Sequence, residues 1–219
     1  MIVVVVGTRT EVGKTWHSAA LLTELRARQI SVSARKPVQS FDPSDASHRD
    51  SVVLSEASGE AENLVCRSHR NYEVAMAPPM AADFLGRPAF TTADLFEELE
   101  LPRDDSVVCL IETAGGVRSP LAHDGDATDL CRYLRPDLVI LVADAGLGAI
   151  NAVRLSADAL AQQRLVVALN RYDADDPIHR ANLDWLAHSD GYDVVTSPNG
   201  SADLVVARIT DRATHRDRL

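Results

Sequence analysis

The side chains best suited to chemistry lie near the start of the chain, in the segment GTRTEVGKT at positions 7–15. An apolar run precedes this segment and a helical pattern follows it, which is the context of a loop that binds nucleotide phosphates. The N–H groups at the start of a helix are unpaired and attract anions. We therefore predict that Gly13 and Lys14 bind phosphate and that the Thr15 hydroxyl ligates Mg²⁺. The alternative is a strand–helix turn that contains Gly-Lys-Thr without any such role.

The loop is one residue longer than the usual form of this motif, G-x-x-x-x-G-K-[ST]. Five residues separate Gly7 from Gly13, and Thr8 stands at the position of the motif's first glycine. Arg9 adds a fixed positive charge within the loop. Both the length of the loop and Arg9 need an explanation if the loop binds a nucleotide.

A magnesium site also needs carboxylates, and two acids follow strands of the predicted fold. Glu112 ends the apolar run VVCLIE, and Asp50 opens the helix that follows the second strand. Ligands of open parallel sheets bind outside the carboxyl ends of the strands, so we expect Thr15, Asp50 and Glu112 to converge. For Asp50, an ordinary role at a helix N-terminus is the alternative.

Lysine is almost absent from the chain. Arginine outnumbers lysine twenty to two, and the two lysines are Lys14 and Lys36. Arginine ends in a rigid planar fork, whereas lysine carries a compact charge on a slim stem. A chain this poor in lysine keeps one where a guanidinium cannot fit, which marks Lys36 as a second functional cation. Chance retention is the alternative.

The elements that must position these residues alternate between strands and helices. Apolar runs predict buried strands at 1–7, 30–38, 106–113, 137–144, 165–171 and 192–196. Helices are predicted at 14–28, 50–59, 91–100, 146–163 and 177–188, with a polar loop at 39–49 and no assignment for 60–78. The alternation predicts a three-layer α/β fold in which helices flank a mostly parallel central sheet. We expect a single domain over residues 1–219.

The composition argues against several classes of partner. The formal charge is −10 and the sequence contains no basic stripe, so we expect that the protein does not bind nucleic acid. The three cysteines, Cys66, Cys109 and Cys131, form no C-x-x-C pair, which predicts reduced thiols and a cytoplasmic protein. The apolar run at 2–6 is too short to span a bilayer, so we expect no membrane partner.

Four segments, in this order along nearly the whole chain, carry a resemblance to a known family: GTRTEVGKT, KPVQS, RDSVVL and ETAGG. They resemble the dethiobiotin synthetases, whose loop reads GT-D-T-E/D-V-GKT and has the same five residues between its glycines. The resemblance therefore accounts for the long loop. It implies a P-loop NTPase fold and a cytoplasmic homodimer of biotin synthesis that uses ATP and Mg²⁺. The reaction would join CO₂ to 7,8-diaminopelargonic acid and close the cyclic urea through a carbamate and a carbamic-phosphoric anhydride.

The resemblance also implies roles for the residues that match the family's motifs. Catalytic roles would fall to Thr10, Lys14 and Lys36. The nucleotide would contact Glu11, Val12, Gly13, Lys14, Thr15 and Asn170, with Asn170 at the adenine. Mg²⁺ would be held by Thr15, Asp50 and Glu112. The substrate would contact Thr10, Glu11, Lys36 and Ser40 and, from the second subunit, Gly146, Gly148 and Asn151. For the segment 146–151, a glycine turn without a binding role is the alternative.

Three positions depart from the family's pattern. Arg9 replaces an acid, and Phe41 and Thr113 each stand where glycine is common. Phe41 would narrow the substrate pocket or reshape its loop, and Arg9 would reach a phosphate or a carboxylate. Dimeric partitioning ATPases carry a signature lysine where Arg9 stands, although they place glycines where Thr10 and Glu11 follow here. The alternatives are therefore a partitioning-type regulatory ATPase or a related nucleotide-binding protein with an altered substrate.

Overall fold

The computed structural model describes residues 1–44 and 49–216, with side chains up to residue 211, so the loop predicted at 39–49 lies partly outside the described residues. The strands in chain order are β1 (Ile2–Gly7), β2 (Val32–Arg35), β3 (Gln39–Ser40), β4 (Asn71–Tyr72), β5 (Val108–Glu112), β6 (Leu138–Asp144), β7 (Leu165–Asn170) and β8 (Asp193–Val195). The helices are α1 (Lys14–Ala27), α2 (Asp50–Ser58), α3 (Glu62–Val65), α4 (Pro78–Phe84), α5 (Thr92–Glu97), α6 (Ala127–Leu134), α7 (Ala149–Ala159), α8 (Pro177–Asp184) and α9 (Pro198–Arg216).

Six of these strands form one parallel sheet in the order β2-β5-β1-β6-β7-β8. The strand β1 lies at the centre, where Val5 pairs with Glu112 on one side and with Ile140 on the other. The short strands β3 and β4 form a separate parallel pair. Because all six strands run the same way, their carboxyl ends, including those of β1 and β5, lie at one edge of the sheet.

The apolar run of β1 is buried on both faces of the sheet. Val3 and Val5 pack with apolar side chains of α1, α2 and α9, whereas Val4 and Val6 pack with those of α5, α6 and α7. Each fully buried valine of this kind contributes about 1.5–3 kcal/mol to the free energy of folding. The predicted three-layer α/β fold with a mostly parallel sheet is confirmed.

Several parts of the chain differ from the sequence-based assignment. The helix α6 (Ala127–Leu134) was not predicted, although Asp126 and Asp129 form a capping box at its start. The strand β3 (Gln39–Ser40) lies within the segment predicted as a loop. The helix α9 was not predicted, because Ser-Pro-Asn-Gly at 197–200 is typical of a turn. The spacing of Ala202 and Val205, both buried, is the signal that could have found it. Residues 60–78, which had no assignment, contain α3, a 3₁₀ turn at Ser68–Arg70, β4 and the first residue of α4, Pro78. The first three elements are too short to show a periodic pattern.

Within residues 1–44 and 49–216, no helix combines the length and the apolar character that crossing a bilayer requires. The single domain expected over residues 1–219 stays a prediction.

Candidate active site

The phosphate loop joins β1 to α1, and its conformation depends on glycine. Gly13 has a φ of 92°, which few residues other than glycine adopt. A Cβ at Gly13 would also lie 2.0 Å from Asn170 Nδ2. That nitrogen donates to Val12 O at 2.9 Å, so the Asn170 side chain packs against the loop. Backbone and packing therefore both require glycine at position 13.

Both lysines of the chain are buried in the site that follows this loop. Lys14 Nζ donates to Gly115 O at 2.9 Å. Lys36 Nζ donates to Glu112 Oε1 at 2.8 Å and lies 2.5 Å from Asp50 Oδ2. The ammonium group of Lys36 is thus enclosed by two carboxylates that come from different elements, β5 and α2.

Two hydroxyl groups of α1 complete the hydrogen bonding of these acids. The Thr15 hydroxyl lies 2.6 Å from Asp50 Oδ1 and 2.8 Å from Glu112 Oε1, and it can donate its one proton to either. Ser18 donates to Glu112 Oε2 at 2.6 Å. The structure therefore brings Thr15, Asp50 and Glu112 together. Sequence reasoning missed Ser18, whose signal is its position one helical turn after Thr15.

Burial and charge act on the pKa values of this cluster in opposite directions. Burial disfavours the charged form of Lys36, but Asp50 and Glu112 more than offset it and raise the pKa of Lys36. Burial also works to raise the pKa of Asp50, yet the Lys36 ammonium prevails and lowers it. Burial and then the charge of Lys36 lower the pKa of Lys14. The site thus holds Lys36 as a cation and Asp50 as a carboxylate.

The Thr15 hydroxyl and the carboxylates of Asp50 and Glu112 are oxygen donors of the kind that Mg²⁺ prefers. Mg²⁺ is commonly bound by one or two carboxylates together with waters and substrate phosphates. No group of three or more His, Cys, Asp or Glu in the described part of the chain could hold a metal ion. This donor set therefore fits a Mg²⁺ ion that shares its coordination with a nucleotide.

The cluster opens into a cleft of about 790 Å³, a volume typical of small-molecule sites. Residues predicted to contact substrate line this cleft, namely Thr10, Glu11, Lys36 and Ser40. Phe41, one of the departures from the family pattern, lines it as well, and Trp16 and Met76 add further apolar surface. The cleft therefore combines charged groups beside the phosphate loop with an apolar wall.

Three of the predicted substrate residues lie elsewhere. Gly146, Gly148 and Asn151 are at the start of α7 and do not line the cleft. Gly148 precedes the helix with a φ of 89°, and the neighbouring Leu147 is 88% exposed. Within one chain, these residues do not meet the substrate residues of the cleft.

All three departures have partners in the structure. The N–H of Phe41 donates to Tyr72 O at 3.0 Å, and the guanidinium of Arg49 lies 5.7 Å from the centre of the Phe41 ring. Arg9 is exposed, and its Nη1 donates to Thr10 O at 3.3 Å while its Nη2 lies 3.8 Å from Asp144 Oδ2. Thr113 is fully buried, and its N–H and hydroxyl both approach Val5 O, at 3.0 and 3.3 Å. Thr113 therefore ties the end of β5 to β1 and leaves no unpaired hydroxyl.

Comparisons with known proteins find relatives that match most of the chain. A family model described as an AAA domain matches residues 2–197. The ATP-dependent dethiobiotin synthetase BioD of Haloferax mediterranei is 34% identical over 197 residues, which cover 89% of this chain and 82% of that protein. The enzyme of the same name from Phenylobacterium zucineum is 33% identical over 227 residues, covering 98% of this chain and 96% of that protein.

Solved structures with a similar fold are more distant in sequence. The signal recognition particle receptor FtsY of Elizabethkingia anophelis gives a TM-score of 0.51 at 18% identity, and the match covers 89% of this chain but only 56% of that one. A Borrelia burgdorferi protein described as a plasmid partition protein, bound to AMPPNP, gives 0.55 at 14% identity, with 90% of this chain and 86% of that one covered. At such identities the likeness concerns the fold alone.

Proposed function

The chain belongs to the dethiobiotin synthetase family, and from that premise we propose that it is an ATP-dependent ligase of biotin synthesis. Its substrates are 7,8-diaminopelargonate, CO₂ or bicarbonate, and ATP. The observation that carries the proposal is the buried Lys36 ammonium, held between Asp50 and Glu112 beside the phosphate loop. Transfer of a phosphoryl group to another anion needs such a site, because fixed positive charge must screen the repulsion between the two.

The phosphate loop binds the nucleotide. Lys14 and the N–H groups of the loop bind the phosphates of ATP, in the manner of other loops with this motif. The residues that would hold Mg²⁺ are Thr15, Asp50 and Glu112, and the bound ion would neutralise charge on the phosphate oxygens. Asn170 gives one N–H to Val12 O, and its amide has a second N–H and an oxygen with which to bind the adenine.

Lys36 and Thr10 act at the reacting atoms. One amine of the substrate forms a bond to the carbon of CO₂ and loses a proton, which gives a carbamate. Lys36 holds this carbamate so that one of its oxygens attacks the γ-phosphorus and the bond from phosphorus to ADP breaks. The second amine then attacks the carbonyl carbon of the resulting anhydride, the C–O bond to phosphate breaks, and loss of a proton leaves the cyclic urea. Positioning and charge screening, rather than covalent catalysis, supply the acceleration.

The substrate's tail carboxylate requires a second subunit in this proposal. Glu11 and Ser40 contact the diamine end of the substrate in the cleft, whereas Gly146, Gly148 and Asn151 would come from the other subunit of a homodimer. The N-terminus of α7 suits a carboxylate, because the start of a helix carries partial positive charge. All three cysteines of the chain are free and buried, which suits a cytoplasmic location.

The proposal is tested by phosphate release from ATP in complete mixtures and in mixtures that each lack one component. We expect release to require the diamine, bicarbonate and Mg²⁺ together. ATP hydrolysis that is indifferent to the diamine, and that DNA or a protein partner stimulates, would instead favour a partitioning-type ATPase. Binding of ATP without turnover in the complete mixture would favour a relative with an altered substrate.

A further inference from the structure

Two successive carbonyl groups of the phosphate loop accept hydrogen bonds from side chains at the end of β7. Arg171 Nη2 donates to Glu11 O at 3.2 Å, and Asn170 Nδ2 donates to Val12 O at 2.9 Å. In a planar trans peptide the C=O and the following N–H point in opposite directions. Fixing these carbonyls toward β7 therefore turns the N–H groups of Val12 and Gly13 the other way. An anionic phosphate is attracted by N–H groups and repelled by carbonyl oxygens, so this orientation favours its binding.

The backbone at both ends of the Arg171 contact is unusual. Glu11 has a φ of 59° and Arg171 a φ of 55°, and both are non-glycine residues in the left-handed region. Such conformations cost free energy and persist where surrounding contacts hold them. The hydrogen bond from the Arg171 side chain to Glu11 O therefore links two residues whose backbones are both strained.

Asp144, the last residue of β6, orients the guanidinium of Arg171. Its Oδ2 accepts from Arg171 Nη1 at 3.1 Å, and its Oδ1 accepts from the N–H of Gly146 at 3.0 Å. The N–H of Gly146 and then the charge of Arg171 lower the pKa of Asp144, which keeps it ionised at neutral pH. Arg9, in the loop itself, approaches the same Oδ2 at 3.8 Å. Asp144 is thus held by the backbone of Gly146 and in turn orients the guanidinium of Arg171.

We propose that Arg171 is a positioning residue for the phosphate loop and that Asp144 holds it in place. Arg171 contacts no reacting atom in this account, and it acts by fixing the carbonyl of Glu11 away from the nucleotide phosphates. The inference rests on the proposed function in one respect only, which is that the loop binds a nucleotide.

The test compares variants by calorimetric binding of Mg²⁺ and AMP-PNP and by hydrogen exchange of loop residues 8–13. The variants are Arg171→Ala, Arg171→Lys, Asp144→Asn and, as a matched control, Arg132→Ala. Arg132 is also an exposed arginine paired with an aspartate, Asp129, but it lies on α6 away from the loop. We expect Arg171→Ala to weaken binding about three- to tenfold, the loss of a charge-assisted hydrogen bond at a partly exposed site, and to speed exchange in the loop. A lysine reaches only one of the two partners of Arg171, so Arg171→Lys should restore part of the loss.

Three results would decide against the proposal: wild-type affinity and exchange in Arg171→Ala, an equal loss in Arg132→Ala, or no recovery in Arg171→Lys. If the wild-type protein bound no AMP-PNP, the proposed function would fail. The exchange comparison would then still decide the positioning role, because it needs no ligand. Faster exchange at 8–13 in Arg171→Ala supports it, and unchanged exchange overturns it.

Discussion

Lys36 Nζ lies 2.8 Å from Glu112 Oε1, and both side chains are almost completely shielded from solvent. They come from adjacent parts of the sheet, since β2 pairs with β5 and Lys36 directly follows β2. Taking both charges out of water is costly, and only close pairing with further hydrogen bonds offsets the cost. Asp50, Thr15 and Ser18 supply those bonds. The pair therefore depends in part on Asp50 and Thr15, which would also bind Mg²⁺.

The first prediction concerns Lys36→Arg. An arginine keeps the positive charge but places a wider planar group between the two carboxylates, where it would crowd the carbamate and phosphate oxygens. We expect turnover to fall by about 100-fold or more, as for other losses of charge stabilisation in an active site, while ATP binding persists. Steady-state rates and calorimetric binding of ATP measure the two effects. If the variant turned over at a rate near that of wild type, the argument that a guanidinium cannot fit at position 36 would be wrong.

The second prediction concerns Ser18, which donates to the buried Glu112. Ser18→Ala leaves one oxygen of a buried carboxylate without its partner, so we expect the free energy of unfolding to fall by about 2 kcal/mol. Urea denaturation measures the change. Thr23→Ala is the matched control, because Thr23 lies on the same helix but is exposed and bonds only within it, to Ala19 O. Equal effects of the two substitutions would refute the role given to Ser18.

The third prediction concerns pH. Burial lowers the pKa of His17 to about 4, and its Nε2 lies 2.9 Å from Ser201 Oγ. In the unfolded chain a histidine has a pKa of about 6.5, so below that pH the unfolded state binds a proton that the folded state does not. Stability should therefore fall as the pH drops from 7 to 5, by about 2 kcal/mol from this group.

The check on His17 is urea denaturation of wild type and His17→Gln at both pH values. The substitution should remove about 2 kcal/mol of the pH dependence, and His188→Gln, at an exposed histidine, is the matched control. An equally steep pH dependence in His17→Gln would show that another group is responsible.

The fourth prediction concerns Arg9, the replacement of the family's usual acid. Its exposed guanidinium donates to Thr10 O at 3.3 Å and lies 3.8 Å from Asp144 Oδ2. If it reaches a phosphate or a carboxylate, Arg9→Ala should raise the KM of ATP or of the diamine by about threefold, the effect of one exposed charge contact. Steady-state kinetics with each substrate varied in turn measure both constants. Unchanged KM values and an unchanged kcat would assign Arg9 no role in the reaction.

Much of this site follows from local sequence patterns. Uninterrupted apolar runs predict buried parallel strands, and the rule that ligands bind at the carboxyl ends of strands predicts that Thr15, Asp50 and Glu112 converge. The scarcity of lysine singles out Lys36, and the structure buries it in the same cluster.

Other contacts could not be predicted, because they join positions far apart in sequence through ordinary residue types. Nothing near Arg171 indicates that its guanidinium reaches Glu11, which lies 160 positions away along the chain. The helix α9 was missed for a different reason. The turn residues at its start indicate a loop, and the spacing of its apolar residues is weak. Those residues are recognisable as a buried face only in the structure, where they pack in one cluster with residues of β1 and α1.

The central claim, that the chain closes a cyclic urea at the expense of ATP, is tested most directly by the product. Enzyme is incubated with 7,8-diaminopelargonate, Mg²⁺-ATP and ¹³C-bicarbonate, and the product is followed by mass spectrometry and ¹³C NMR alongside the phosphate released. The account predicts a ¹³C-labelled urea carbonyl formed in equal amount to phosphate and absent with Lys36→Arg. Phosphate released without any labelled cyclic urea would contradict it.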